Sequence, residues 1–389
     1  MSKEKTRDPL FHIAKREPMP VWKRLLIYAG AIVGALLLTS IFCTLSSTEV
    51  DNPFMMFVSM IDGAFGGKKV FEFFMRDFIF LLGVSYSLLP AFKMKFWNLG
   101  ANGQIIIGGL VAYAFMRWGT QSGAAVPLVW AFMVIFGVLA SVVWAAIPAI
   151  FKALFKTNET LFTLMMNYIA QGLVAVMIAD WTNGSQTTIG VIDSYAFPEL
   201  FASYVIPAIA IAAVAVFMII SMTKGKHGYE IAVVGDSENT AKYAGMNVKL
   251  ITIRTLILSG LICGIVGVLL TGCIHHSITD DMHSNMGFTA IMTSWLASFN
   301  PIVIIGTCFL ITFISKGMLQ VKTDFGFTNN AIADVAIGVI YFCIIACQFF
   351  INYKLVFRKK ETKQTEKTPS ANSPAAPAEK TIEKEVESK

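Results

Sequence analysis

The chain has 389 residues, of which 55% are hydrophobic and only 14% are charged, and its mean hydropathy is +0.64. A soluble domain carries about 25% charged residues, so this composition excludes a soluble globular protein of this length. The net charge of +6 is concentrated at the termini and in a few loops, a pattern typical of membrane orientation and not of nucleic-acid binding.

Apolar runs as long as a membrane-spanning helix recur along the chain after a basic N-terminal segment at residues 1–24. We expect residues 1–24 in the cytoplasm, a transmembrane domain at 25–357 and a disordered cytoplasmic tail at 358–389. The predicted fold is all-α, a polytopic integral membrane protein with about ten segments and both termini cytoplasmic. The segments are predicted at 25–45, 78–96, 104–116, 126–151, 161–179, 204–222, 251–273, 288–298, 302–315 and 331–353.

The two segments at 288–298 and 302–315 are inferred from parity. Read as one kinked span, they would place the tail that begins at Arg358 outside, against the positive-inside rule. Read as two segments, each is too short to cross about 30 Å, so we expect a re-entrant or tilted pair. The loops at 49–74, 180–203 and 275–285 are predicted outside.

The polar run NLGANGQ at residues 98–104 lies between the second and third spans. Its amides need partners in hydrocarbon, so it cannot be a continuous lipid-facing helix. It is either a broken segment near a transport path or a loop and helix cap at the cytoplasmic interface. Asn98 and Gln104 are its candidate path residues.

Polar side chains also interrupt the fifth span. Asn167, Tyr168 and Gln171 lie on adjacent helix faces, and polar side chains in a membrane helix face the protein interior. They either contact a polar solute or join helices. We hypothesise that these three residues, with Asn98 and Gln104, lie near a translocation path, and we predict neither a catalytic residue nor a metal site.

Residues 224–250 form a polar segment of mixed charge between two apolar runs. Ile231, Val233 and Val234 offer an apolar patch, and residues 240–243 have the pattern of a short helix. A short amphipathic element on a cytoplasmic loop can fill a groove in a partner protein. The alternative is an ordinary cytoplasmic loop, and the length and mixed chemistry of the segment favour a partner surface.

Two further patterns bear on packing and on energy supply. The spacings Gly30/Gly34 and Gly260/Gly264 predict close helix contacts. No G-x-x-x-x-G-K-[ST] motif is present, and the run GGKK at 66–69 lacks its first glycine and its hydroxyl. If transport is driven by ATP, another chain hydrolyses it.

Four of these stretches resemble one family, in family order. They are NLGANGQ at 98–104, TLMMNYIA at 163–170, GDSENTAKYAGM at 235–246 and GFTAIMTSWLASFNPI at 287–302. Together they resemble the permease subunits of ATP-binding-cassette importers for nucleosides and simple sugars. Asn102 departs from the usual Glu of that family, and Ser237 and Glu238 depart from its Asn-Pro.

The resemblance implies a permease in the prokaryotic cytoplasmic membrane that forms the path for nucleosides or related sugars. The implied partners are a cytoplasmic ATPase, a second permease (homologous or identical), an extracellular substrate-binding protein and membrane lipid. ATP and Mg²⁺ would bind to the ATPase and not to this chain. The implied ATPase-coupling residues are Glu230, Gly235, Asp236, Ala241, Lys242, Tyr243 and Gly245.

Two other classes of function stay open from the residues. An ion-coupled secondary transporter of a small polar solute would need an intramembrane carboxylate, for which Asp334 is the candidate. A membrane scaffold without transport is the third hypothesis. Uptake that persists after the ion gradients collapse would exclude the secondary transporter.

Overall fold

In a computed structural model of the protein, the described residues are 11–15, 20–46, 52, 54–184, 188–326 and 330–357. These residues are almost entirely helical, with one short two-stranded sheet. In chain order the elements are β1 (Phe11–Lys15), α1 (Val21–Ser46), α2 (Met55–Phe65), α3 (Lys68–Lys93), α4 (Ala101–Ser122), α5 (Val126–Phe155), α6 (Glu159–Trp181), α7 (Val205–Thr223), α8 (Lys226–Asp236), α9 (Glu238–Tyr243), α10 (Val248–Leu269), a π-helix (Leu270–His275), α11 (Met286–Leu296), α12 (Val303–Asp324), α13 (Asn330–Asn352) and β2 (Tyr353–Phe357).

Each of the ten predicted segments corresponds to a helix, so the all-α polytopic fold is confirmed. Within the described chain, seven helices are long and apolar enough to cross a membrane; these are α1, α3, α5, α6, α7, α12 and α10 with its π-helical extension. The other three segments are α4, whose polar first turn lowers its hydropathy, the short α11, and α13.

The centre of the helical unit is a tight packing of α4, α5 and α10. Glycines make this packing possible. A Cβ added at Gly264 of α10 would lie 2.8 Å from Val138 Cα on α5, and one added at Gly108 of α4 would lie 3.2 Å from Gly264 Cα. The predicted close contact at Gly260 and Gly264 is therefore confirmed. A Cβ added at Gly30 or Gly34 would meet no atom within 4 Å in the described chain, so the predicted close helix contact is not seen at these two glycines.

The stretch at 49–74 was expected to be an outside loop, but it contains a helix. Met56 and Met60 are four residues apart and buried, so α2 presents an apolar face to α12. A Cβ added at Gly63 would lie 2.8 Å from the carbonyl oxygen of Lys316, which shows how closely the helices approach. The loop prediction failed because α2 is only 11 residues long.

The pair predicted at 288–298 and 302–315 consists of two unequal helices. α11 has 11 residues, about 16 Å at 1.5 Å per residue, whereas α12 has 22 residues and about 33 Å, enough to cross the membrane. The sequence argument ended the second segment before Lys316. In the structure Lys316 Nζ lies 2.5 Å from Asp77 Oδ2 on α3, and this ion pair allows α12 to continue past the charge.

The second compact unit is the sheet formed by the two ends of the chain. β1 pairs with β2 in antiparallel register, from Phe11 opposite Phe357 to Lys15 opposite Tyr353. The cytoplasmic location of both termini stays a prediction, and the tail at 358–389 lies outside the described residues.

Candidate functional site

α4, the first of the three centrally packed helices in chain order, is preceded by a non-helical segment inside the protein. α3 ends at Lys93, residues 94–100 are not helical, and α4 begins at Ala101. Asn98 is fully buried, and its Nδ2 donates to Ser259 Oγ of α10 at 3.1 Å while its Oδ1 accepts from the Gly100 amide at 3.0 Å. The break in NLGANGQ is therefore observed, and its place near a transport path stays a prediction.

Asn167 of α6 binds the same segment from the opposite side. Its Nδ2 donates to the carbonyl oxygen of Leu99 at 2.8 Å, and its Oδ1 accepts from the Gly103 amide at 2.8 Å. Thr163, one turn earlier on α6, accepts from the Leu99 amide at 3.1 Å. A non-helical backbone in a membrane needs such partners, because lipid offers none.

Gln104 and Asn102 extend this network to two more helices, α5 and α11, and bond α10 a second time. Ser259 of α10 donates to Gln104 Oε1 at 3.3 Å, and Ser141 of α5 donates to the Gln104 carbonyl oxygen at 2.9 Å. Asn102 Oδ1 accepts from the Gly287 amide at 2.8 Å and so satisfies an amide in the first turn of α11. The broken segment is thus bound by α5, α6, α10 and α11.

The five predicted path residues therefore divide into two groups. Asn98, Gln104 and Asn167 are buried, and their hydrogen bonds go to protein groups. Tyr168 is 61% exposed on α6, and Gln171 is half-buried one turn after Asn167. Joining helices is the observed role of Asn167, and the path lining itself stays a prediction.

The segment at 276–285 was expected to be an outside loop, but it descends into the protein. Ile278 and Met282 are buried, and a Cβ added at Gly109, near the middle of α4, would lie 2.7 Å from Met282 Cε. The segment then reaches α11, whose Gly287 is bonded to Asn102. Sequence reasoning missed this because the run is polar overall; the isolated Ile278 and Met282 were the only signal.

On the predicted cytoplasmic side, α8 and α9 form a compact pair. Ser237 separates them and caps α9 by accepting from the Thr240 amide at 3.3 Å, which confirms the short helix expected near 240–243. Ile231 and Val234 are buried within the chain, so the predicted apolar patch for a partner is wrong at these residues. The sequence could not show that they pack inward.

The predicted coupling residues lie partly inside this pair and partly on its surface. Ala241 is buried, and a Cβ at Gly235 would collide with the carbonyl oxygen of Lys93, so both serve packing. Tyr243 is 93% exposed. The other exposed members of the predicted set are Asp236, Lys242 and Gly245.

Glu230, the remaining coupling residue, connects α8 to the central helix α10. Its carboxylate is ion-paired with Arg254. His227 Nδ1 lies 2.7 Å from Arg254 Nη2, and burial, followed by the charge of Arg254, lowers the pKa of His227. A neutral imidazole leaves the pairing of Glu230 with Arg254 undisturbed. This ion pair joins α8 to α10, which carries Ser259 five residues beyond Arg254.

Comparison with known proteins identifies the family. The model of the family described as "Branched-chain amino acid transport system / permease component" matches residues 70–370, most of the chain and all of the network above. The chain belongs to this family. It is therefore a multi-pass membrane permease subunit of an ATP-binding-cassette importer, and the reading as a transport subunit rather than an ion-coupled carrier is supported.

The names of three relatives of this permease state a transported solute. The guanosine ABC transporter permease protein NupP of Bacillus subtilis is 25% identical over 70% of this chain and 79% of its own. The nucleoside ABC transporter permease protein NupB of Lactococcus lactis is 25% identical over 82% of this chain and 90% of its own. The glucose ABC transporter permease protein TsgB13 of Haloferax volcanii is 24% identical over 87% of this chain and 92% of its own. No solved structure matches the chain significantly.

Proposed function

We propose that this permease imports a nucleoside or a related simple sugar. One observation supports an uncharged polar solute. Among the described residues, every buried polar side chain is Ser, Thr, Asn, Gln or His283, and none is Asp, Glu, Lys or Arg. An anionic or cationic solute would be expected to require a buried counter-charge along its path. The guanosine, nucleoside and glucose permeases among its relatives all handle uncharged solutes that carry a sugar ring.

The expected result of deleting this chain from its own cells is a loss of nucleoside uptake. Initial rates for radiolabelled guanosine, uridine and glucose would be compared with those of the deletion strain carrying the gene on a plasmid. We expect uptake of at least one of these solutes to fall to background, and to persist in complemented cells after the proton and sodium gradients collapse but not after ATP depletion. Undiminished uptake of all three solutes would contradict the proposal.

We propose further that the exposed surface of α9 binds a separate ATPase that holds ATP and Mg²⁺. Tyr243, Lys242, Asp236 and Gly245 form this surface, and the buried Gly235 and Ala241 hold it in place. The Glu230–Arg254 pair then transmits movement of α8 to α10. A second permease completes the path, and an extracellular binding protein delivers the solute.

Tyr243→Ala is expected to lower the ATPase activity that co-purifies with the tagged permease in a mild detergent. Truncating an aromatic residue at the centre of an interface costs about 2 kcal/mol or more, so we expect a loss of roughly tenfold or more. Phe201→Ala is the control, because Phe201 is 99% exposed but lies in the loop predicted on the opposite side. Equal recovery of ATPase with both variants would contradict the proposed surface.

A further inference from the structure

Two histidines of the descending segment, His276 and His283, have a buried Nε2 without a partner in the described part of the chain, and of the two only His283 has its whole side chain buried. The side chain of His283 is 1% exposed. Its Nε2 is buried and forms no hydrogen bond with any group in the described part of the chain. Buried polar atoms in folded proteins almost always have a partner, so an unpaired one needs an explanation.

His283 lies beside the first half of α4. The residue before it, Met282, packs against Gly109 near the middle of α4, and Thr271 Oγ1 lies 3.8 Å from Met282 Sδ. Four residues after His283, the Gly287 amide reaches Asn102 in the first turn of α4. Because α4 is about 33 Å long, the imidazole lies between the middle of this helix and its inner end.

The hydrogen bond from the Asn285 amide favours the tautomer of His283 that carries its proton on Nε2. The Asn285 amide donates to His283 Nδ1 at 3.2 Å, which requires Nδ1 to be unprotonated. A neutral imidazole then carries its proton on Nε2. Asp281 Oδ1 also lies 3.2 Å from Nδ1, but the Asp281 side chain is 74% exposed and is solvated without this contact. His283 therefore presents a buried N–H donor.

The helix that follows this donor has its own first-turn amides satisfied. α11 begins at Met286, and the amides of Met286 and Phe288 donate to the carbonyl oxygens of His283 and Asn285 at 2.8 and 3.0 Å, while the Gly287 amide donates to Asn102. At this point of the described chain the unpaired nitrogen is therefore His283 Nε2 and not a backbone amide of α11.

We propose that His283 Nε2–H donates a hydrogen bond to a hydroxyl or carbonyl oxygen of the transported solute and is a specificity residue of the path. This inference rests on the proposed import of a nucleoside or sugar. A site built to bond one oxygen rejects an analogue that lacks it far more strongly than an apolar pocket rejects a small change in shape.

The test replaces each ring nitrogen separately. In His283→Asn the amide reaches only the position of Nδ1 and keeps the contact with Asn285, whereas in His283→Gln an amide nitrogen reaches the position of Nε2. The deletion strain carrying each variant would be assayed for the KM and maximal rate of uptake of the transported solute and of its deoxy analogues. His276→Asn is the matched control, because its Nε2 is likewise buried and unpaired in the described chain but its ring lies just beyond the π-helix, where Nδ1 contacts Asp193 at 2.8 Å.

We expect KM to rise about tenfold or more in His283→Asn, with His283→Gln and His276→Asn close to the unaltered permease. We also expect one deoxy analogue that the unaltered permease discriminates against to be taken up as well as the parent solute by His283→Asn. A structural role alone would not remove that discrimination. The inference would be overturned if His283→Asn kept both its KM and its discrimination against the deoxy analogue. It would also be overturned if the Asn and Gln variants lost maximal rate equally.

The same assay separates this inference from the function on which it rests. If the unaltered permease supports uptake and His283→Asn leaves KM and discrimination unchanged, only the role of His283 is overturned. If the unaltered permease supports uptake of no nucleoside or sugar, the proposed function is overturned, and the solute site at His283 with it.

Discussion

Asn167→Leu is expected to destabilise the permease strongly, although it changes the volume of the side chain little. Leucine is close to asparagine in volume, so packing is largely kept while both hydrogen bonds to the broken segment are lost. The carbonyl of Leu99 and the amide of Gly103 then remain buried and unpaired. Each such group costs about 1–3 kcal/mol.

The free energy lost in Asn167→Leu depends on whether the lost hydrogen bonds join two side chains or bind backbone groups. A hydrogen bond between side chains of membrane helices contributes about 0.6 kcal/mol on average, because the released side chains find other partners. Asn167 instead bonds the carbonyl oxygen of Leu99, which lies outside any helix, and the amide of Gly103 in the first turn of α4, which has no partner within its helix. We therefore expect the larger figure.

The measurement is thermal unfolding in detergent, followed with a thiol-reactive fluorophore. All six cysteines are free and five are buried, so their reaction reports unfolding. We expect the midpoint to fall by several degrees in Asn167→Leu. Gln171→Leu, one turn along α6, is the control, since Gln171 is half-buried and has no hydrogen bond in the described chain. Equal midpoints for the two variants would contradict the role assigned to Asn167.

The spans of this fold were predictable because hydropathy and length are local properties. The predicted 126–151 and 204–222 correspond to α5 and α7, which are uninterrupted apolar runs. α12 was predicted too short because its continuation depends on the ion pair of Lys316 with Asp77, nearly 240 residues away in the chain. A charge in an apolar run ends a span only when it has no partner, and the partner is not visible in the local sequence.

The candidate site shows the same division between local and long-range information. The amides of NLGANGQ and of Asn167 were recognisable because polar groups in hydrocarbon need partners. That Asn167 bonds Leu99 and Gly103, and so joins helices, depends on tertiary packing. The descent of 276–285 was missed because burial of that polar run is decided by contacts with α4, such as Met282 on Gly109.

Gly264→Leu is expected to prevent folding of the permease. A Cβ at this position would lie 2.8 Å from Val138 Cα and 2.9 Å from Ser141 Cβ, and neither backbone nor Cβ can rotate away. Overpacking a close-packed interior costs about 1–3 kcal/mol where side chains adjust, and more where backbones must separate. Here α10 would be forced away from α5.

This separation would also break the network that holds the candidate site together. Ser141 donates to the Gln104 carbonyl oxygen at 2.9 Å and to the Gly260 carbonyl oxygen at 2.8 Å, so it joins α5 to both α4 and α10. Displacing α10 leaves these groups and Asn98 without partners, and the cost of orphaned polar groups adds to that of the steric clash.

The matched control is Gly306→Leu on α12, because a Cβ at Gly306 meets no atom within 4 Å. Both variants add the same side chain to a glycine of a membrane-spanning helix, so hydropathy changes equally. Size-exclusion chromatography of fluorescently tagged permease in detergent is expected to show a monodisperse peak for Gly306→Leu and aggregate or no peak for Gly264→Leu. A monodisperse, thermally stable Gly264→Leu protein would show that α4, α5 and α10 do not pack as closely as described.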